Sequence, residues 1–296
     1  MFPELLAKIA SVKPRVIALC GPSASGKGFV SSYLLNQQNL SVQVLGMDDY
    51  YKSESELIKE MGEEINWDVP EAVKMDLFVQ HIQQLKCGET IQRPLYVNQS
   101  SGPGYDVGER TMKLDTKQIL LVEGIFAADS RVCELADIVI FNHSSIHSRL
   151  LRRIIRDTQF ALSKQNISSE AIPHFTSNLV AELFQMVFPE NEKWCKPTQE
   201  IDVILSNEIT EKELKESNLF TYTSEREFQQ KMKNITIFVT SQNAGIASGG
   251  VAVTNEAPGI YQLIVFSARY NQHFYIQEFT TKFNLLPEIA QYYNQI

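Results

Sequence analysis

Arg15-Val16-Ile17-Ala18-Leu19-Cys20 is a short apolar run closed by Gly21, a pattern that predicts a strand buried on both faces. The stretch from Gly26 to about Leu35 predicts a helix, and residues 42–45 a second short strand. Over residues 71–87, apolar side chains recur near helical spacing at Ala72, Met75, Leu77, Phe78, Ile82 and Leu85, with Gly88 placed to end the helix. Ile119-Leu120-Leu121-Val122 and Asp137-Ile138-Val139-Ile140-Phe141 are two more buried-strand runs. Strands punctuated by helices predict an α/β domain on a mostly parallel sheet.

Near residue 207 the pattern changes. The segment that follows is rich in Glu and Lys and predicts a charged linker or solvated helix over 208–222. Beyond it, β-type runs at 235–240, 261–267 and 274–280, with a Gly/Ala/Ser-rich interval at 243–250, predict a small β-rich domain over 223–296. The expected organisation is thus a larger α/β domain over 1–207 and a smaller one whose role the residues do not assign.

Composition narrows the class. The 296 residues carry 27 Lys+Arg against 35 Asp+Glu, a net charge of −8, and the acidic surplus lies before residue 223. A duplex nucleic-acid partner is not expected from that balance. Cys20, Cys87, Cys133 and Cys195 are far apart with no CxxC, which suits reduced thiols and the cytoplasm. No apolar run approaches the ~18 residues of a membrane span, so no membrane partner is expected either. Self-association is neither required nor excluded by these features.

The sharpest chemical signal is Gly21-Pro22-Ser23-Ala24-Ser25-Gly26-Lys27-Gly28, between the first strand and a helix. It fits GxxxxGK of the phosphate-binding loop in the strand–loop–helix setting such a loop needs. Glycines let the backbone curl so that N–H groups converge on a phosphate. The helix N-terminus adds partial positive charge, and Lys27 reaches the outer phosphates. The position after the lysine, where a Ser or Thr hydroxyl ordinarily holds Mg²⁺, is Gly28.

Further segments follow in order: Met47-Asp48-Asp49-Tyr50-Tyr51-Lys52, Ile65-Asn66-Trp67-Asp68-Val69-Pro70, Arg93-Pro94-Leu95-Tyr96, Leu121-Val122-Glu123-Gly124, Arg149-Leu150-Leu151-Arg152-Arg153-Ile154-Ile155-Arg156-Asp157 and Cys195-Lys196-Pro197-Thr198. In this register the chain resembles the uridine kinase (uridine–cytidine kinase) family and its phosphoribulokinase relatives over roughly residues 13–207. The resemblance implies a P-loop kinase-type fold, ATP and Mg²⁺ as cofactors, and a small-molecule substrate with a hydroxyl acceptor. It implies that Asp48 is the base facing the acceptor hydroxyl, and that Asp48 and Glu123 hold the metal directly or through water. It further implies that Asp68 is the ribose-hydroxyl ligand, with Tyr51, Trp67 and Tyr96 around the acceptor. On the residues alone Asp49 competes with Asp48, and core packing explains Trp67 and Tyr96 equally well.

Arg149, Arg152, Arg153 and Arg156 recur at i, i+3, i+4 and i+7, which on a helix forms one guanidinium-rich face with Asp157 as the nearby acid. Such a face suits a polyphosphate. By resemblance, Arg149 and Arg152 take part in catalysis and Arg153 and Arg156 bind the nucleotide from a lid. After Tyr96 the family tends to carry an aspartate and a base-reading histidine, where this chain has Val97-Asn98-Gln99-Ser100-Ser101-Gly102. The expected function is transfer of the γ-phosphoryl group of ATP to a nucleoside such as uridine or cytidine. Its alternatives are a related kinase for a non-nucleoside hydroxyl, and a nucleotide-binding regulatory protein without turnover.

Overall fold

A computed structural model of the chain describes residues 2–63, 65–99, 102–164, 175, 179–180 and 182–209, and the strand residues 220–223, 235–240, 249–257, 260–267, 272–276 and 279–280. The chain divides into two compact units, Met1–Ser144 with Glu190–Asn207, and Ser145–Pro189 with Glu208–Ile296.

The first unit runs through α1 (Pro3–Val12), β1 (Val16–Cys20), α2 (Lys27–Leu35), β2 (Val42–Gly46), α3 (Glu54–Met61), α4 (Met75–Lys86), β3 (Thr90–Gln99), β4 (Gly102–Lys113), β5 (Ile119–Glu123), α5 (Ser130–Leu135) and β6 (Ile138–His143). It closes with β7 (Val203–Ser206). Its five-stranded sheet has the order β2-β5-β1-β6-β7, and every neighbouring pair is parallel. The middle strand β1 is apolar and buried at every position because the sheet is covered on both faces, and its neighbours β5 and β6 turn polar only at their carboxyl ends. Val16, Ala18 and Cys20 pack into one cluster with Phe78, Ile82 and Leu85 of α4, while Ile17 and Leu19 pack into another with Leu5 and Ile9 of α1 and Val30 and Leu34 of α2. Two carboxylates pin strand starts. Oδ2 of Asp137 accepts the N–H groups of Arg15 (2.7 Å) and Val16 (2.8 Å), and Oδ2 of Asp202 accepts that of Val139 (2.9 Å).

The helix expected over 71–87 begins only at Met75. Pro70–Ala72 forms a single 3₁₀ turn and Val73 is extended. The backbone there bonds to the turn after β2 instead: Lys52 N–H donates to Ala72 O (2.9 Å) and Lys74 N–H to Tyr50 O (2.8 Å). Tertiary pairing has overridden helical spacing for the first turn. The antiparallel β3–β4 hairpin, from Thr90 opposite Lys113 to Gln99 opposite Gly102, has no counterpart among the sequence expectations.

The second unit contains α6 (Ile146–Lys164), a π-helical turn over Leu183–Val187, and an antiparallel sheet. The expected strands are present as β9 (Ile235–Thr240), β11 (Ile260–Ser267), β12 (Gln272–Ile276) and β13 (Phe279–Thr280), joined by β8 (Phe220–Thr223) and β10 (Gly249–Ala257). The order is β8-β12-β11-β10-β9, with β13 on β11. Residues 210–219 of the expected linker and 243–248 of the small-residue interval lie outside the described residues. A helix α7 (Phe188–Trp194) precedes β7 in the chain. The four cysteines are free, with Cys87 exposed and the others buried. Among the described residues no helix is long and apolar enough to cross a membrane.

Candidate active site

The loop between β1 and α2 curls as its composition requires. Gly21 has φ +143°, and a Cβ there would fall onto the carbonyl oxygen of Asn142. Gly26 has φ +90° where α2 begins, and Ala24, despite its side chain, has φ +59°. A left-handed conformation costs an L-residue about 1–2 kcal/mol, so the surroundings must impose it. Three asparagines do so from outside the loop: Asn142 Nδ2 donates to Ser25 O (2.8 Å), Asn207 Nδ2 to Gly26 O (3.3 Å), and Asn191 Oδ1 accepts the Ser23 N–H (2.7 Å). Lys27 Nζ donates to Gly21 O (2.9 Å) and Pro22 O (3.2 Å), so the ammonium lies across the loop and not out in solvent. A Cβ added at Gly28 would meet nothing within 4 Å.

Two carboxylates stand at the same edge of the sheet. Glu123 is the last residue of β5, in register with Leu19, one residue before the end of β1, and with Gly46 at the end of β2. Asp48 follows β2 in a 3₁₀ turn over Met47–Tyr50. In an open parallel sheet, this carboxyl edge is where ligands bind. The turn is anchored by its apolar members, since Met47 and Tyr50 are buried while Asp48 is exposed. The Tyr50 hydroxyl and His81 Nδ1 share a hydrogen bond of 2.8 Å. Burial holds the Tyr50 phenol above its usual range and the His81 imidazole below its own. Asp49 is half-buried, with Arg93 Nε 3.4 Å from its Oδ2. The hydroxyl of Ser31, buried on α2, donates to Glu123 Oε2.

The segment with Asp68 lies in this same unit. The Asp68 N–H donates to Asn66 Oδ1 (3.0 Å), and Asp68 Oδ1 accepts from Nδ2 of Asn191 (3.0 Å). Trp67 and Tyr51 meet edge to face at 6.0 Å, and both pack on the core cluster that includes Phe78. Tyr96 lies in β3, opposite Asp106.

Within the second unit, the arginine row of α6 is not uniform. Arg149 is 2% exposed and its guanidinium stacks 4.9 Å from the Phe188 ring centroid. Arg153 is buried and pairs through Nε with Asp157 Oδ2 (2.7 Å), while Arg156, largely exposed, pairs with Asp157 Oδ1 (2.6 Å). Asp157 therefore relieves much of the repulsion that the spacing suggests. Arg152 is half-buried. At the start of α6, Glu208 accepts from the Ser145 N–H (2.7 Å) and from the hydroxyls of Ser145 and Ser148 (2.5 Å each), a carboxylate placed to favour the helix dipole.

Asn142, Asn191, Asn207 and Ser31 carry no sign of a functional role in the sequence. None sits in a motif, and their partners are distant: Asn191 meets residues 168 and 123 positions away. A polar residue in the charged stretch Pro189-Glu190-Asn191-Glu192-Lys193 carries no local sign of being 1% exposed.

A sequence profile described as the phosphoribulokinase/uridine kinase family matches residues 16–161. A uridine kinase from Macrococcus caseolyticus is 29% identical over 196 residues, covering 65% of this chain and 88% of that protein. One from Bacillus pumilus is 31% identical over 199 residues, covering 65% and 86%. Another, from Bacillus mycoides, is 35% identical over 152 residues, covering 50% and 68%. With the phosphate loop and both strand-end carboxylates inside the matched segments, the chain belongs to the phosphoribulokinase/uridine kinase family.

Proposed function

We propose that this protein is an ATP-dependent kinase that transfers the γ-phosphoryl group to a hydroxyl of a small molecule, with a nucleoside such as uridine or cytidine as acceptor. The observation that carries the reading is the meeting of the phosphate loop, Asp48 and Glu123 at the carboxyl edge of one parallel sheet. Phosphoryl transfer asks little covalent chemistry of a protein; it needs positioning and charge neutralisation. Lys27 and the loop N–H groups bind the phosphates. Asp48, exposed and just past β2, orients the acceptor hydroxyl and takes its proton. Asp68 holds a second hydroxyl of the acceptor, beside Tyr51 and Trp67. Of the α6 arginines, Arg152 and Arg156 are the more exposed, and the phosphate-neutralising role is assigned to them before Arg149 and Arg153.

The donor set fits Mg²⁺. Among the described residues there is no group of three or more His, Cys, Asp or Glu able to cage a metal. Two hard carboxylates level with a phosphate loop suit an ion that takes its other oxygens from phosphate and water. Asp48 and Glu123 would hold it, and when bound it would spread the charge of the β- and γ-phosphates.

The test is a phosphorylation screen on the purified protein with ATP, Mg²⁺ and a panel of nucleosides, sugars and other alcohols. Transfer to a nucleoside, abolished by Asp48→Asn with ATP binding retained, supports the reading. Transfer only to another alcohol moves the acceptor class, which the missing histidine after Tyr96 favours. ATP binding without turnover at any Mg²⁺ or Mn²⁺ concentration would leave the regulatory alternative, which Gly28 favours.

A further inference from the structure

Asn191 joins two parts of the candidate site that the chain keeps far apart. Its Oδ1 accepts the N–H of Ser23, at the entrance of the phosphate loop, and its Nδ2 donates to Oδ1 of Asp68. The side chain is 1% exposed and sits on the short helix α7, and the N–H of Cys195, just past the helix, donates to Asn191 O (2.8 Å) and helps set its position. Few side chains could make this bridge. A carboxamide carries one acceptor and one donor group on a single rigid plane, whereas a carboxylate cannot donate and an ammonium cannot accept. The Asp68 end is a hydrogen bond to an ion, the stronger kind. Polarisation through the amide also makes Oδ1 a better acceptor for the Ser23 N–H.

We infer that Asn191 is a positioning residue that couples the nucleotide and acceptor subsites, so that the state of Asp68 is felt by the phosphate loop. The inference rests on the proposed assignment of Asp68 to the acceptor and of the loop to ATP. Both ligands use the same bridged arrangement: an acceptor hydroxyl on Asp68 and phosphates on the loop each hold the bridge the other needs. Binding of the two is therefore synergistic, and by linkage the effect is equal in both directions.

The sign of one substitution is diagnostic. Deleting a carboxylate near a bound polyphosphate should, by Coulomb's law alone, tighten the polyphosphate. The bridge predicts the reverse, because Asp68→Ala removes the bond that orients the Asn191 amide toward the Ser23 N–H.

The experiment is a double-mutant cycle on the affinity for a non-hydrolysable ATP analogue with Mg²⁺, using the full chain, Asp68→Ala, Asn191→Ala and the double variant, each checked for cooperative melting. Asp68→Ala should weaken binding about fivefold or more, and should add less than about twofold once Asn191 is already alanine. Amide hydrogen exchange at Ser23 gives a second reading that needs only the mild Asp68 substitutions. It should quicken in Asp68→Ala and less so in Asp68→Asn, which keeps an acceptor oxygen but loses the charge. Unchanged or tighter binding in Asp68→Ala, or an undiminished effect of that substitution beside Asn191→Ala, would overturn the coupling. The cycle involves no turnover. Loss of coupling in a protein that still phosphorylates an acceptor rejects the bridge alone, whereas intact coupling in a protein that phosphorylates nothing rejects the kinase reading alone.

Discussion

Arg93 Nε lies 3.4 Å from Oδ2 of Asp49, and that contact separates two adjacent aspartates that look alike in the sequence. Asp49 is drawn half into the protein by a cation on β3, while Asp48 faces solvent at the strand end. Asp48→Asn should lower kcat by about 10²–10⁴-fold, the usual range for losing a general base, with nucleotide affinity kept. Asp49→Asn should keep activity within about tenfold and cost about 1 kcal/mol of stability at most, as a partly exposed ion pair does. Steady-state rates and melts of both variants check this. Equal losses of kcat would remove the distinction.

Gly28 invites restoration of a hydroxyl. Its backbone needs no glycine and a Cβ has open space, so Gly28→Ser should fold normally and tighten Mg²⁺-dependent nucleotide binding. Gly28→Ala serves as the control. It should gain up to about 1 kcal/mol from removing a helical glycine and leave the Mg²⁺ dependence unchanged. If the serine variant binds no better than the alanine one, the metal takes no ligand from that position. Ser31, already bonded to Glu123, would then be the α2 hydroxyl that matters, and Ser31→Ala the variant to measure.

The arginines of α6 should separate by burial. Arg149→Ala removes a buried guanidinium from the Phe188 ring and should destabilise by about 2 kcal/mol or more. Arg156→Ala, at an exposed side chain, should change stability by less than about 1 kcal/mol. A melting series distinguishes them. A loss of transfer activity in Arg156→Ala without loss of stability would mark it as functional.

Helix α3 carries a pH-dependent cap. Ser53 Oγ accepts the Glu56 N–H (3.3 Å) while Glu56 Oε2 accepts the Ser53 N–H (2.7 Å). That backbone bond, with the Ser53 hydroxyl and Lys74 nearby, holds the Glu56 carboxyl below its ordinary value despite some burial. The folded pKa is depressed, so the cap's contribution is present above the unfolded carboxylate range and fades as pH falls through the folded value. Ser53→Ala should cost about 1 kcal/mol at neutral pH. Glu56→Gln should flatten the acid limb of the stability profile, which denaturant melts between neutral and acidic pH would show.

What the linear order of residues determined is whatever short-range geometry controls. The apolar strands, the glycine-punctuated loop opening α2 and the strand-end carboxylates are each specified within a few neighbours, since strand burial, left-handed turns and helix starts depend on local backbone and side-chain type. The helical row Arg149–Arg156 belongs with them as spacing, but its chemistry does not: Arg149 is buried against Phe188 and Arg153 beside Asp157, while Arg152 is half-buried and Arg156 exposed. Only the folded chain decided which of Asp48 and Asp49 stays open, why α4 starts at Met75, and that Asn191 spans the loop and Asp68. These are contacts between segments tens to more than a hundred positions apart, and a side chain's partners across that separation leave no periodic trace in its own neighbourhood.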